Sequence, residues 1–306
     1  MDFRCSTPVL LLLFNRPQHT AAVIEQLRKV QPARIFVHCD GPRDQYPEET
    51  GKVAAVRAEL NKIDWPCEVS TLFREQNAGL RVGVFGALNW FFEEVEQGII
   101  LEDDCLPDIS FFPFCEEMLA RYAQEERVMH IGGSNVAESL TSTLPGSYFF
   151  SRFSFVWGWA SWRRAWKKMS INLDGLETFE QQNRLEELLS NPMARTYLYD
   201  KFRATQLGKN NSWAYAWFYS ILKNSGLCIV PRQNLVQNTG IGASEATHTK
   251  KADPQAGLRA SSLNFPLTHP TGFDRDPDLE MGLFYAAQKS RIRLTLWFLL
   301  KLFGFR

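Results

Sequence analysis

Apolar runs and polar breaks alternate along the first 135 residues at the spacing of β-α-β units. Pro8 to Phe14 is almost wholly apolar and predicts a buried first strand. Asn15-Arg16-Pro17 turns the chain; Pro17 suits the first turn of a helix, which Val23, Ile24 and Leu27 continue at helical spacing. Arg34 to Cys39 reads as a second strand, ending in Asp40-Gly41-Pro42-Arg43. A polar loop over 44–50 leads to a helix over Val53 to Ile63, then to a third strand over Val69 to Phe73. After the loop Asn77-Ala78-Gly79-Leu80-Arg81, Gly83 opens a helix with Val84, Leu88, Phe91, Phe92 and Val95 as its apolar positions, and Gly98 is expected to stop it. Ile99-Ile100-Leu101 then runs straight into Glu102-Asp103-Asp104. This alternation predicts an α/β fold with a mostly parallel central sheet covered on both faces.

The second half is less regular. Asp108 to Ala123 predicts a helix and Val128 to Ile131 a strand, while residues 137–147 read as a loop or flap. Residues 157–166 hold four Trp (Trp157, Trp159, Trp162 and Trp166), a segment expected to be part core and part sugar-stacking surface. One or two helices are expected over 176–207, another after an N-cap at Ser212, and a strand over Leu227 to Val230. Asn238 to Thr249 is a long loop, a length that suggests function. At the C-terminus the uncharged run Leu294 to Leu300 is seven residues, short of the roughly 20 of a transmembrane helix. With Arg291, Arg293, Lys301 and Arg306 around it, the segment 291–306 predicts a helix lying on a membrane surface, with docking on the core or a dimer contact as the alternatives.

Composition narrows the class. The 306 residues carry 34 basic and 34 acidic side chains, so no nucleic-acid partner is expected. Six cysteines without a CxxC spacing argue against structural zinc and for reduced thiols in a cytoplasmic protein, and Val9 to Phe14 is too short for a secretory signal. No GxGxxG and no P-loop is present. Three strand ends, at Asn15-Arg16, Asp40-Gly41 and Glu102-Asp103-Asp104, would share the carboxyl edge of the sheet, where open α/β sheets bind ligands. Arg16 and Arg81 offer planar forks to phosphate, and Asp40 can accept from a base or ribose. The acidic triplet suits a hard cation, Mn²⁺ or Mg²⁺, which would hold a diphosphate; His248 could reach the same ion.

These segments resemble the GT-A nucleotide-sugar glycosyltransferases, nearest the branch of N-acetylglucosaminyltransferase I and its bacterial polysaccharide-gene relatives. The resemblance covers most of residues 6–250 and rests on FNRP, CDGPR, NAGLRVGV, IILEDDCLPDISFF, VWGWASWRRAW, the NSWxxxW helix and the late GxxxxATHT loop. It implies a GT-A fold: a nucleotide-sugar-binding half over 1–135, an acceptor half over 136–270 and a helical tail over 271–306. It further implies transfer from a nucleoside-diphosphate sugar, UDP favoured, to a glycan or lipid-linked acceptor, in the cytoplasm or at the cytoplasmic face of the inner membrane. Arg16, Asp40, Arg81, Glu102 and Asp103 would be donor contacts, Asp104 and His248 metal contacts, and Trp157, Trp159 and Trp213 acceptor contacts. One departure stands out. Relatives carry a carboxylate in the SWxxxW helix as general base, and here Ala214 and Ala216 stand between Trp213 and Trp217. Glu245, Asp200 and Glu138 are the remaining base candidates. A catalytically silent nucleotide- or glycan-binding protein of the same fold is therefore the alternative, with a sugar nucleotidyltransferase behind it because the Gly-rich first loop of that class is absent.

Overall fold

The computed structural model describes residues 3–241, 257–288 and 291–302. The first half runs β1 (Val9–Leu13), α1 (Pro17–Val30), β2 (Arg34–Cys39), α2 (Glu48–Glu59), β3 (Glu68–Phe73), α3 (Leu80–Glu94), β4 (Gln97–Glu102), β5 (Cys105–Pro107), α4 (Phe111–Arg121) and β6 (Val128–Gly132). The second half adds α5 (Glu138–Thr141), β7 (Tyr148–Ser151), β8 (Trp159–Trp162), α6 (Arg163–Trp166), α7 (Leu176–Gln181), α8 (Arg184–Leu188), α9 (Pro192–Gln206), α10 (Trp213–Lys223), β9 (Leu227–Pro231), β10 (Val236–Asn238), α11 (Pro277–Ala286) and α12 (Arg291–Leu302).

Eight strands form one sheet in the order β3-β2-β1-β4-β8-β6-β9-β7, and β10 pairs with β5 in a small ribbon. β1 pairs in parallel with β2 and β4, and β6 with β9; β8 and β7 run antiparallel to their neighbours. The sheet is therefore mixed but mostly parallel, a Rossmann-like arrangement with a C-terminal helical extension. Every residue of β1 is buried, as expected of a strand covered on both sides. Val9, Leu11 and Leu13 face a cluster with α1, α2 and α4, whereas Leu10 and Leu12 face α3, α6 and α10. A third apolar cluster joins α7, α8, α9 and α10 to Phe284 of α11 and Leu294 of α12.

Several expectations shift. The polar stretch 44–50 already contains the start of α2, whose first turn carries Glu48 and Glu49 at the positive end of the helix. Gly98 does not stop a helix: α3 ends at Glu94, and Gly98 lies inside β4, where the ring of Phe91 fills the space a Cβ would need. The Trp-rich segment supplies a whole strand, β8, between β4 and β6. Three helices, not two, cover 176–207. Ser212 stands at the N-cap of α10, although its hydroxyl makes no capping bond. Helix α12 docks on α9, with Leu294 buried and Trp297 edge-on to Tyr197 at 5.9 Å, while Leu296 and Leu299 face outward. Among the described residues no helix is long and apolar enough to cross a membrane.

Candidate functional site

The chain passes from β1 to β2 and β3 on one side, then crosses to β4 on the other. The carboxyl ends of β1 and β4 thus flank a topological switch point, the place where open sheets leave a crevice. Arg16 is the N-cap of α1, directly after β1. Asp103 follows β4, its amide donating to Leu12 O at 3.1 Å. The two side chains meet: Arg16 Nη1 donates to Asp103 Oδ1 at 3.2 Å and to Asp104 Oδ2 at 2.7 Å. Burial opposes the charge on Arg16, but Asp103 and Asp104 outweigh it and raise its pKa. Burial also raises Glu102 and Asp103, reinforced by repulsion from Asp104 and opposed by Arg16.

The β5–β10 ribbon closes over the far side of Asp104. Asn238 Nδ2 donates to Asp104 Oδ1 at 3.3 Å, and the amide and hydroxyl of Thr239 donate to Asp104 O at 2.8 and 3.1 Å. The carbonyl of Thr239 lies 3.3 Å from His19 Nε2 of α1. A Cβ at Gly240 would collide with the Asp104 carboxylate and push it from its place. The long-loop reading beginning at Asn238 pointed to this segment. The latching of Asn238, Thr239 and Gly240 onto Asp104 had no signal beyond the small and polar residue types.

The other expected residues separate. Asp40 is 8% exposed and accepts from Gly41 N at 3.0 Å and Ala78 N at 2.9 Å. With Asn77, which bonds Gly41 O and Gly79 N, it braces the loop into α3. Arg81 was expected at a diphosphate. Its guanidinium donates to Thr205 O at 3.2 Å and to Ile171 O, tying α3 to the helical region, and none of these bonds reaches the acids. Trp159 and Trp213 were expected to face an acceptor. Both are core: Trp159 is 0% exposed on a strand covered on both faces, Trp213 is 3% exposed, and the rings stack at 5.9 Å. A buried ring offers no face to a sugar, and exposing one would forfeit about 2–3 kcal/mol of burial. Trp157 keeps a partly exposed side chain. Asp200 lies on α9, and Glu138 in the first turn of α5 accepts from Asn234 N at 3.3 Å. Glu245 and His248 lie outside the described residues. A groove of about 420 Å³ between α3 and α6 is lined by Phe85, Asn89, Phe92, Glu93, Arg163 and Trp166, and none of Glu102, Asp103 and Asp104 borders it.

The fit of a metal can be judged on this donor set. Asp104 engages Arg16 through Oδ2 and Asn238 through Oδ1, and Asp103 also turns to Arg16. Among the described residues no group of three or more His, Cys, Asp or Glu side chains is disposed to hold a metal ion. Within the described residues, the two aspartates are paired with the Arg16 guanidinium.

Fold and site together define a Rossmann-like α/β protein with a charged cluster at its β1/β4 switch point. No family model and no curated protein matches the chain. Among solved structures it is similar to HddC from Yersinia pseudotuberculosis, at 16% identity over 37% of this chain and 54% of that one, with a TM-score of 0.27. It is also similar to apo mouse xyloside xylosyltransferase 1, at 12% identity over 72% and 81% of the two chains, with a TM-score of 0.33. A UDP-glucose pyrophosphorylase complexed with UDP-glucose matches at 9% identity over 53% and 70%, with a TM-score of 0.29. At these scores the likenesses carry no further argument.

Proposed function

We propose that this chain binds a nucleoside-diphosphate sugar at the carboxyl edge of β1 and β4. The observation that carries the reading is the convergence of Arg16, Asp103 and Asp104 at the switch point of a mostly parallel sheet. The chemistry suits an anionic ligand: a guanidinium for phosphate, with two carboxylates holding it in place. Binding without turnover is the reading the geometry favours, because the acids are engaged by Arg16 and α10 carries no acid between Trp213 and Trp217.

Transfer of the sugar to a glycan or lipid-linked acceptor, as in the GT-A enzymes the sequence resembles, is the second reading. It is favoured by the Asn15-Arg16-Pro17 and Glu102-Asp103-Asp104 segments adjoining at one sheet edge, as that resemblance requires. A nucleotidyltransferase is disfavoured, since β1 passes through three residues directly into α1 with no Gly-rich loop.

The test is calorimetric titration of the full chain with a panel of UDP-, GDP-, CDP-, dTDP- and ADP-sugars, followed by assay of nucleoside-diphosphate release from whichever binds. Binding of one class without release supports the silent binder, and slow release moves the conclusion to the transferase. Absence of binding across the panel, with and without Mn²⁺, would remove the nucleotide-sugar reading altogether.

A further inference from the structure

Arg16 pairs with two of the three acids that the sequence offers to a divalent ion. Its two ion pairs, at 3.2 Å to Asp103 and 2.7 Å to Asp104, both run through Nη1, so the Nε–Nη2 edge of the fork takes part in neither. Its side chain is 14% exposed, and those of Asp103 and Asp104 are 9% and 12% exposed. Asp104 is held from behind by Asn238 and Thr239 and is crowded by Gly240. Turning that carboxylate toward another ligand would break the bond to Asn238. A hard cation needs several oxygen ligands around it, and the group that these oxygens surround is the guanidinium.

We infer that Arg16 is the built-in cation of this site: Asp103 and Asp104 anchor its Nη1, and the Nε–Nη2 edge receives a nucleoside diphosphate without a divalent ion. The fork matches two phosphate oxygens in one plane, and the guanidinium stays charged at every physiological pH. Two carboxylates fixing the same nitrogen restrict the side chain before the ligand arrives, which lowers the entropy lost on binding. Arg16 also caps a 14-residue helix, whose positive end favours an anion beside it. Asp103 and Asp104 are on this account positioning residues that hold Arg16, not metal ligands.

The inference rests on the nucleotide-binding reading above, and one experiment separates the two. The intact chain is titrated calorimetrically with UDP, GDP, CDP, dTDP and ADP in EDTA and again in Mn²⁺. The expected result is one nucleoside diphosphate whose affinity agrees within about threefold between the two conditions and falls about tenfold or more in Arg16→Gln. Arg16→Lys, which keeps the charge and loses the fork, is expected to fall between them and serves in place of Arg16→Gln if thermal melting shows the latter unfolded. Binding by wild type that requires Mn²⁺, or binding unchanged in the arginine variants, overturns the inference and leaves the nucleotide reading standing. Binding of no nucleoside diphosphate in either condition overturns both.

Discussion

His130 is the residue whose environment makes the plainest demand on protonation. Its Nε2 lies 3.0 Å from Phe155 O and its Nδ1 3.3 Å from Trp217 Nε1, which is a donor only. The ring is therefore neutral, with the proton on Nε2, and it stacks on Trp159 at 5.2 Å. Burial pushes its pKa down to about 4 from an ordinary 6.5. The unfolded chain takes up the proton first as pH falls, so this contribution to stability is complete above pH 6.5 and is lost toward pH 4. The stability gap between wild type and His130→Asn, from urea unfolding, should narrow by about 3 kcal/mol over that range. A gap that stays flat contradicts the neutral buried ring. The residue scale also shows what a linear reading misses. Glu102-Asp103-Asp104 is visible as an acidic strand end, yet Arg16, which pairs with its two aspartates, lies 87 positions before Asp103. Both residues were singled out in the sequence as ligand contacts; that they contact each other depends on β1 and β4 being neighbours.

Elements divide by how local their cause is. Strand β1 and helix α1 were legible because an unbroken apolar run and a Pro at the first helical turn are local signals. Strand β8 was not, because Trp159-Ala160-Ser161-Trp162 is only four residues long and has no alternation, its two Trp standing at the i, i+3 spacing of a helix; its pairing with β4 and β6 defines it. The β5–β10 ribbon is two three-residue strands more than a hundred positions apart, too short for any pattern. Helix α12 carries an element-scale prediction. Leu296 is 56% and Leu299 43% exposed, on a helix anchored by buried Leu294, and such a face suits a membrane surface. Co-sedimentation with vesicles containing anionic lipid should fall severalfold in the double variant Leu296→Asp and Leu299→Asp. Equal sedimentation of wild type and variant would leave α12 as a docked helix only.

At the scale of the whole molecule, two sheet faces and an outer helical layer leave little of the interior open. All six cysteines are free thiols; five are buried and Cys67 is partly exposed. Burial raises the pKa of each, so the reactive thiolate is scarce as well as shielded. A thiol reagent at neutral pH should therefore modify at most Cys67 within minutes, and all six only in denaturant. Two or more fast thiols in the native protein would mean that the sheet opens readily. The same closure explains the fate of the tryptophans. A four-Trp segment permits a sugar platform or a core, and the packing of α6 and α10 on one sheet face puts Trp159 and Trp166 into core with Trp213 and Trp217, while Trp157 stays partly exposed.

The alternation of strand and helix, the apolar centre of the sheet and the acidic end of β4 follow from neighbours within a few positions along the chain, and so are written in the order of residues alone. That Asp104 bonds Arg16 and Asn238, that Arg81 bonds carbonyls of the helical region and that Trp159 faces inward emerges when the chain is folded. Those outcomes depend on strand order and on which face of the sheet each helix covers. Buried polar groups take the nearest complementary partner in space, and residues far apart along the chain supply it.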